Sequence, residues 1–397
     1  MAIRVGVFFG GKTVEHEVSI ISAIQAINAF DKEKYTIVPI YITKNGDFYT
    51  GEATATISEY KDIPALLKKS KRVIVFNEKG EYQLISYPIK KFGNPVVDTF
   101  DVAFPIVHGT NVEDGALQGF LKTLSIPFVG PDVTASALGM DKFAMKTVWK
   151  YCDLPILDAK RLYVKQYFQS VDESIADLEG SFSYPMIVKP LNLGSSVGIR
   201  KARTSGELKE ALEYAFLFAN YALVEPAITN LREINCAVLG DKESAKASEC
   251  EEPLTTADIL SYEDKYVNGG KQSKGSAKGM SGAKRKLPAD LSYEQREYIR
   301  DLAIRAFQAL DVNGVSRVDF LIDTDNDKVY LNEINTIPGS LAFYLWEPTG
   351  LKYSQLLDEL VMLALKRRRE EENISYAFDT NILSQYEGGL KGAKGKL

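Results

Sequence analysis

The stretch 317–340 reads R-V-D-F-L-I-D, an acidic turn, then V-Y-L-N-E-I-N-T-I-P-G-S. Side chains alternate along a strand, so Arg317 and Asp319 share one face, and Glu333 and Asn335 share one face of the second run. Asp323, Asp325, Asn326 and Asp327 are turn formers, which predicts an antiparallel hairpin. A register centred near Asn326 sets Asp319 opposite Glu333 and Arg317 opposite Asn335. Three oxygen-bearing side chains and one guanidinium then meet. Hard oxygen donors of this kind suit Mg²⁺, which shares its shell with nucleotide phosphates. The competing reading is the solvated face of an ordinary hairpin. Ile337-Pro338-Gly339-Ser340 follows at once, and a rigid Pro beside a permissive Gly lets a backbone approach a ligand closely.

Other residues with chemical potential sit on loops. Gly194-Ser195-Ser196-Val197-Gly198 follows Lys189-Pro190, so backbone N–H groups, hydroxyls and a lysine could cover a phosphate. The spacing is not that of a P-loop and a strand follows, so a small-residue hairpin turn competes. Glu15 and Glu17 lie in the first turn of a helix, where carboxylates complement the dipole. Glu15 also follows a strand and Gly10-Gly11, at the carboxyl edge of an open sheet where small ligands bind. His108 ends another such strand before G-T-N-V-E-D-G. A lone histidine is more often structural than catalytic, but two polar loops at one edge shift the balance toward a ligand site. The N-terminal G-V-F-F-G-G does not match a dinucleotide fingerprint.

The elements that must hold these residues alternate in kind. A buried strand at 3–9, a helix at 15–29 and a strand at 35–43 make a strand–helix–strand unit of the α/β kind. Residues 50–98 are less regular, with short strands such as 73–76, and read as an insertion. A strand at 101–107 and a helix at 115–124 follow. Residues 132–151 read as helical with an interruption at Gly139-Met140-Asp141-Lys142. Strands at 184–190, 199–201 and 221–226 surround a helix at 207–219. Strands at 234–239 and 244–251 precede a polar stretch, 265–286, rich in Lys, Gly and Ser and expected to be a mobile loop. A helix at 292–310, the hairpin and a helix at 354–369 complete the order. The end, G-G-L-K-G-A-K-G-K-L, is too poor in core formers to fold alone.

The totals bound the function class. At 397 residues the chain should form two or three domains. With 45% hydrophobic and 25% charged residues it has the composition of a soluble globular protein. A net charge of −5 argues against a general nucleic-acid surface. No window approaches a membrane span and no cleavable signal pattern is present. Three cysteines without metal-type spacing point to reduced intracellular thiols, and two histidines exclude a histidine-rich metal site.

Taken in order, G-G-K-T-V-E-H-E-V-S, H-G-T-N-V-E-D-G, M-D-K, Y-P-M-I-V-K-P-L-N-L-G-S-S-V-G, Y-E-D-K-Y and R-V-D through N-E-I-N-T-I-P-G resemble the D-alanine–D-alanine ligase family of the ATP-grasp superfamily. The resemblance runs from residue 3 to about 340. It implies an α/β, three-domain ATP-grasp fold with an N-terminal Rossmann-like open-sheet domain. The expected division is 1–130, 131–226 and 227–377, followed by a flexible tail at 378–397. ATP would be gripped between the second and third domains.

By position, the resemblance implies that Lys142 and Lys189 contact ATP phosphates and that Glu225 and the Ile228 backbone meet the adenine. Glu233 would bind the ribose, although one extra residue separates it from Glu225. Asp319, Glu333 and Asn335 would hold two Mg²⁺ ions, with Mn²⁺ as the alternative. Lys265 and Tyr266 would begin a covering loop, Ser195 would link Glu15 to Tyr266, and Arg317 with the Gly339 N–H would face the reacting carbonyl. Glu15 would take the ammonium of the first D-alanine, with His108 beside the substrate. Tyr344-Leu345 stands where many relatives place a serine–leucine pair for the second substrate's carboxylate. The implied reaction joins two D-alanines through an acyl phosphate for peptidoglycan synthesis, in the cytoplasm. Small molecules are its partners, neither nucleic acid nor membrane, and the expected assembly is a homodimer. Tyr266 implies a dipeptide rather than an ester. The unusual 265–286 stretch and S-L-A-F-Y-L-W leave D-serine, another small amino acid or a hydroxy acid open as the second substrate. A non-catalytic ATP-binding sensor is the alternative of a different class.

Overall fold

Seven strands build the first sheet: β1 (Ile3–Gly10), β2 (Tyr35–Ile42), β3 (Phe48–Thr50), β4 (Lys71–Glu78), β5 (Glu81–Ser86), β6 (Val96–Phe100) and β7 (Val102–Ile106). Their order is β6-β5-β4-β3-β2-β1-β7. The structure is a computed structural model and describes residues 2–90, 92–194, 197–254 and 285–376. β1 runs parallel to both β2 and β7, and its apolar run is buried from Val5 onward, as a strand covered on both faces requires. Helices α1 (His16–Ala29), α2 (Ile63–Lys69) and α3 (Ala116–Thr123) belong to this unit. Residues 50–98 are more regular than their sequence predicts: β3 to β6 extend the sheet beyond β2 as an antiparallel meander.

Helices α4 (Val133–Met140) and α5 (Lys142–Tyr151) come next. Asp141 separates them and caps α5, its carboxylate accepting from the Phe143 and Ala144 N–H groups at 3.0 and 2.9 Å. A four-stranded antiparallel sheet follows in the order β10-β9-β11-β8, from β8 (Lys160–Tyr163), β9 (Met186–Pro190), β10 (Arg200–Ala202) and β11 (Tyr221–Pro226). Its helices are α6 (Val164–Gln169), α7 (Val171–Glu179) and α8 (Ser205–Ala215).

The third sheet, ordered β14-β13-β12-β15-β16, contains β12 (Leu231–Gly240), β13 (Ala245–Pro253), β14 (Arg285–Lys286), β15 (Gly314–Asp323) and β16 (Lys328–Asn335). Helices α9 (Tyr293–Ala309) and α10 (Tyr353–Glu371) complete the described chain. Both faces of this sheet are covered. Cys236, Val238, Val318 and Phe320 join a core with α4, α5 and α9, whereas Ala237, Leu239 and Val315 join the core of the first sheet and α10. Period-two alternation therefore sends Asn235, Arg317 and Asp319 to the face turned toward the N-terminal unit. Apart from Arg285 and Lys286, the 265–286 stretch lies outside the described residues, as do Ser195, Lys265, Tyr266 and the 378–397 tail. No helix among the described residues is long and apolar enough to cross a membrane.

Candidate functional site

The β15–β16 hairpin has the register its sequence predicts: Asp319 faces Glu333 and Arg317 faces Asn335. Nearer the turn the pairing is one residue out of step, Phe320 opposite Leu331, so Asn332 is the extra residue of a bulge. Arg317 grips Asp319 with both arms, Nε to Oδ1 at 2.6 Å and a terminal nitrogen to Oδ2 at 2.7 Å. Burial works against that guanidinium's charge, but Asp319 more than compensates and holds its pKa above the ordinary range. Asn335 Nδ2 donates to Asp319 Oδ2 at 3.1 Å.

Three lysines approach, two from α5 and one from the four-stranded sheet. Lys142, at the start of α5, donates to the Leu193 carbonyl at 2.9 Å and lies 3.5 Å from Glu333 Oε2. Lys189, on β9, donates to Asn332 Oδ1 at 3.0 Å and pairs with Glu225. Lys146, one turn along α5 from Lys142, reaches the other Glu225 oxygen at 3.0 Å. Burial alone would protonate Glu225, yet the two ammonium groups overcome it and hold the carboxyl at about 2. Burial moves Lys146 the other way, below its usual value.

The N-terminal unit closes the cleft. Glu15 stands at the carboxyl end of β1, just before α1. A Cβ at Gly194 would sit 2.7 Å from Glu15 Oε2 and one at Gly109 would sit 2.8 Å from it, so only glycine lets both loops close on this carboxylate. His108 is buried and its pKa is lowered by that burial, so it is neutral at pH 7. Its Nδ1 donates to the Ile337 carbonyl at 2.8 Å, which leaves Nε2 to accept from Ser22 Oγ at 3.1 Å. Ser22 Oγ in turn accepts the Ser340 N–H at 2.9 Å. This chain pins the backbone on both sides of Gly339. Glu113 adds a third tie, accepting from Gly109 N–H at 2.8 Å and Ile337 N–H at 3.0 Å. Burial, reinforced by Glu15, raises its carboxyl to about 8.

Glu15, His108, Glu113, Lys142, Arg317, Glu333, Asn335 and Gly339 line one pocket. The geometry thus unites seven of the predicted residues in one pocket. It binds Glu225 to two lysines, leaves His108 holding backbone, and sets Tyr344 against Glu251 at 3.0 Å. Glu233 is on β12. Sequence reasoning missed Lys146, Asn332, Glu113 and Glu251. The i, i+4 spacing of Lys142 and Lys146 on a helix, and the position of Glu113 within G-T-N-V-E-D-G, were available signals.

Among the described residues no cluster of three His, Cys, Asp or Glu side chains stands ready for a metal. The donor set is two carboxylates and one amide, Asp319, Glu333 and Asn335, which are hard oxygen donors on facing strands. Each carboxylate has about four lone-pair sites, so the Arg317 fork does not exhaust Asp319. The set fits Mg²⁺.

A family model described as "D-ala D-ala ligase N-terminus" matches residues 4–131, and one described as "D-ala D-ala ligase C-terminus" matches residues 148–362. The D-alanine–D-alanine ligase of Thermosipho melanesiensis is 38% identical over 382 residues, covering 96% of this chain and 98% of the relative. Among solved structures, the D-alanine–D-alanine ligase of Coxiella burnetii superposes with a TM-score of 0.76 at 31% identity, over 94% of this chain and 96% of that one. The VanG D-Ala:D-Ser ligase of Enterococcus faecalis gives 0.75 at 28% identity, over 92% and 100%. The Bacillus anthracis D-alanine–D-alanine ligase complexed with ATP gives 0.64 at 25% identity, over 93% and 100%.

Proposed function

The chain belongs to the D-alanine–D-alanine ligase family, and from that premise we propose how its residues divide the ATP-dependent joining of two D-alanines for peptidoglycan synthesis. The enzyme is an ADP-forming carbon–nitrogen ligase. A carboxylate oxygen of the first D-alanine attacks the γ-phosphorus of ATP, the bond to ADP breaks, and an acyl phosphate forms. Repulsion between anions is the obstacle, and Lys142 and Lys189 neutralise it at the phosphates. Glu225, flanked by Lys146 and Lys189, supports this reading because it holds Lys189 in place while that ammonium donates to Asn332 of β16. In the same reading Glu225 and the Ile228 backbone would meet the adenine and Glu233 the ribose. Asp319, Glu333 and Asn335 would hold Mg²⁺, which when bound supplies further charge neutralisation.

Glu15 takes the ammonium of the first D-alanine. The amine of the second, having lost its extra proton, attacks the activated carbonyl, and phosphate leaves. Arg317 and the Gly339 N–H stabilise the oxyanion, a contribution of roughly 3 kcal/mol for a well-aimed donor. The observation that carries the reading is the single pocket shared by Glu15, Lys142, Arg317, Glu333 and Gly339, drawn from both ends of the chain. Excluding water protects the acyl phosphate. Ser195, Lys265 and Tyr266 belong to the same reading as the cover of the site. So do a cytoplasmic location and a homodimer, for which light scattering should give twice 44.1 kDa.

The deciding experiment supplies purified protein with ATP and pairs of amino acids, and follows ADP and product mass. D-alanyl-D-alanine with D-alanine-stimulated ADP release is expected. ATP binding without such turnover would indicate a sensor, and preferential formation of the D-lactate ester would sink the dipeptide assignment.

A further inference from the structure

β13 contributes a buried acid that the reaction above leaves unused. Glu251 is 3% exposed. Its Oε1 accepts from the Tyr344 hydroxyl and from Asn235 Nδ2, each at 3.0 Å, and its Oε2 accepts from Arg285 at 3.0 Å. A carboxylate removed from water is costly unless paired and hydrogen-bonded, and a well-packed apolar side chain would hold the strand as well. The sheet gives this acid an address. Glu251 faces Asn235, Asn235 faces Asp319 and Asp319 faces Glu333, so one row of side chains crosses four strands into the pocket.

Tyr344 stands at the outer end of that row, five residues beyond Gly339. The Arg285 guanidinium lies 4.0 Å above its ring, and Arg317 acts on the same phenol from the site. Burial, then Glu251, raise the Tyr344 pKa, so the hydroxyl stays protonated and its proton is committed to Glu251. The phenol therefore cannot offer that proton to a substrate carboxylate, as a serine in its place would. The Arg285 guanidinium beside it, oriented by its ion pair with Glu251, can present its planar fork of donors to one.

We propose that Glu251 is a positioning residue for the attacking amino acid, fixing Tyr344 and Arg285 as one stacked unit whose oriented guanidinium receives that substrate's carboxylate. The inference deepens the ligase reading and rests on it. Glu251 makes no substrate contact of its own.

The test uses the full chain, Glu251→Gln, Tyr344→Phe and the double variant, with D-alanine or D-alaninamide as second substrate. Tyr344→Phe keeps the ring under Arg285 and guards against misfolding of the other variant. Each single change should raise the second amino acid's KM about tenfold, leave the KM values for ATP and the first D-alanine within about twofold, and narrow the preference for D-alanine over its amide. The double variant should be no worse than the more damaging single change, because the two side chains act as a unit. An equal rise in all three KM values, an unchanged acid-to-amide preference, or additive losses would each overturn the proposal. If the unmodified enzyme makes no dipeptide, the parent reading fails; if it does and the variants match it, only this inference fails.

Discussion

Glu333 joins two kinds of partner at the site, Asp319 across the strands and the Lys142 ammonium at 3.5 Å. Its amide replacement keeps the shape and removes the charge, so Glu333→Gln should lower kcat by about a hundredfold or more, with the melting temperature little changed. Near-normal turnover at low Mg²⁺ would refute its place in the metal set. Glu113 supplies a test of a different kind. Its carboxyl titrates at about 8 when folded against an ordinary 4.5, so between those values the folded chain holds a proton that the unfolded chain has released. Stability should then fall as pH rises through that window and level off above about 8, by roughly 5 kcal/mol at most. Urea titrations from pH 5 to 9 on the parent and Glu113→Gln should show a steeper decline for the parent. The Asp319–Glu333 and Arg317–Asn335 pairs were legible because strand alternation is a local rule. The motif around Glu113 was visible, but its partner Ile337 was not, more than two hundred residues away, nor was Tyr344 as the partner of Glu251, more than ninety away.

Helix α4 approaches β16 so closely at Gly139 that a Cβ there would lie 2.5 Å from the Thr336 methyl. Alanine is worth about 1 kcal/mol more than glycine in a helix interior, yet here it must displace the strand end that carries Asn335. Gly139→Ala should therefore lower kcat/KM by about tenfold and the melting temperature by a few degrees. Adding Thr336→Ser, which removes the opposing methyl and keeps the hydroxyl on Glu113, should restore most of both; failure to do so would assign the damage elsewhere. Strong periodicity made α1, α9, α10 and the hairpin legible. The bulge at Asn332 was not, because it is created by the offset between two strands and not by either one. Strand β8 and helices α6 and α7 were missed as well: their segments are short, and packing of Tyr167, Ile175 and Leu178 into the second unit's core decides their form.

At the scale of the molecule, the chain returns to its beginning. Leu356, Leu357, Leu360, Val361 and Ala364 of α10 share a core with β1, β2 and β7. Arg367 donates to the Phe128 and Gly130 carbonyls and lies 4.4 Å from the Phe128 ring. Arg367→Ala should cost about 2–4 kcal/mol and a few degrees in melting temperature while sparing kcat, since the side chain fastens units together away from the pocket. A large fall in kcat with unchanged stability would contradict that. This return was invisible in the sequence, because an amphipathic helix announces an apolar face without naming what covers it. The hydrogen-bonded chain from Ile337 through His108 and Ser22 to Ser340 joins the same two ends at the pocket. Its last donor is a backbone amide whose proton is shielded only while Ser22 is in place. The deuterium uptake of Ser340 is thus a clock for the parting of the N-terminal unit from the third sheet. It should slow when ATP and D-alanine analogues are added, reporting closure without any turnover.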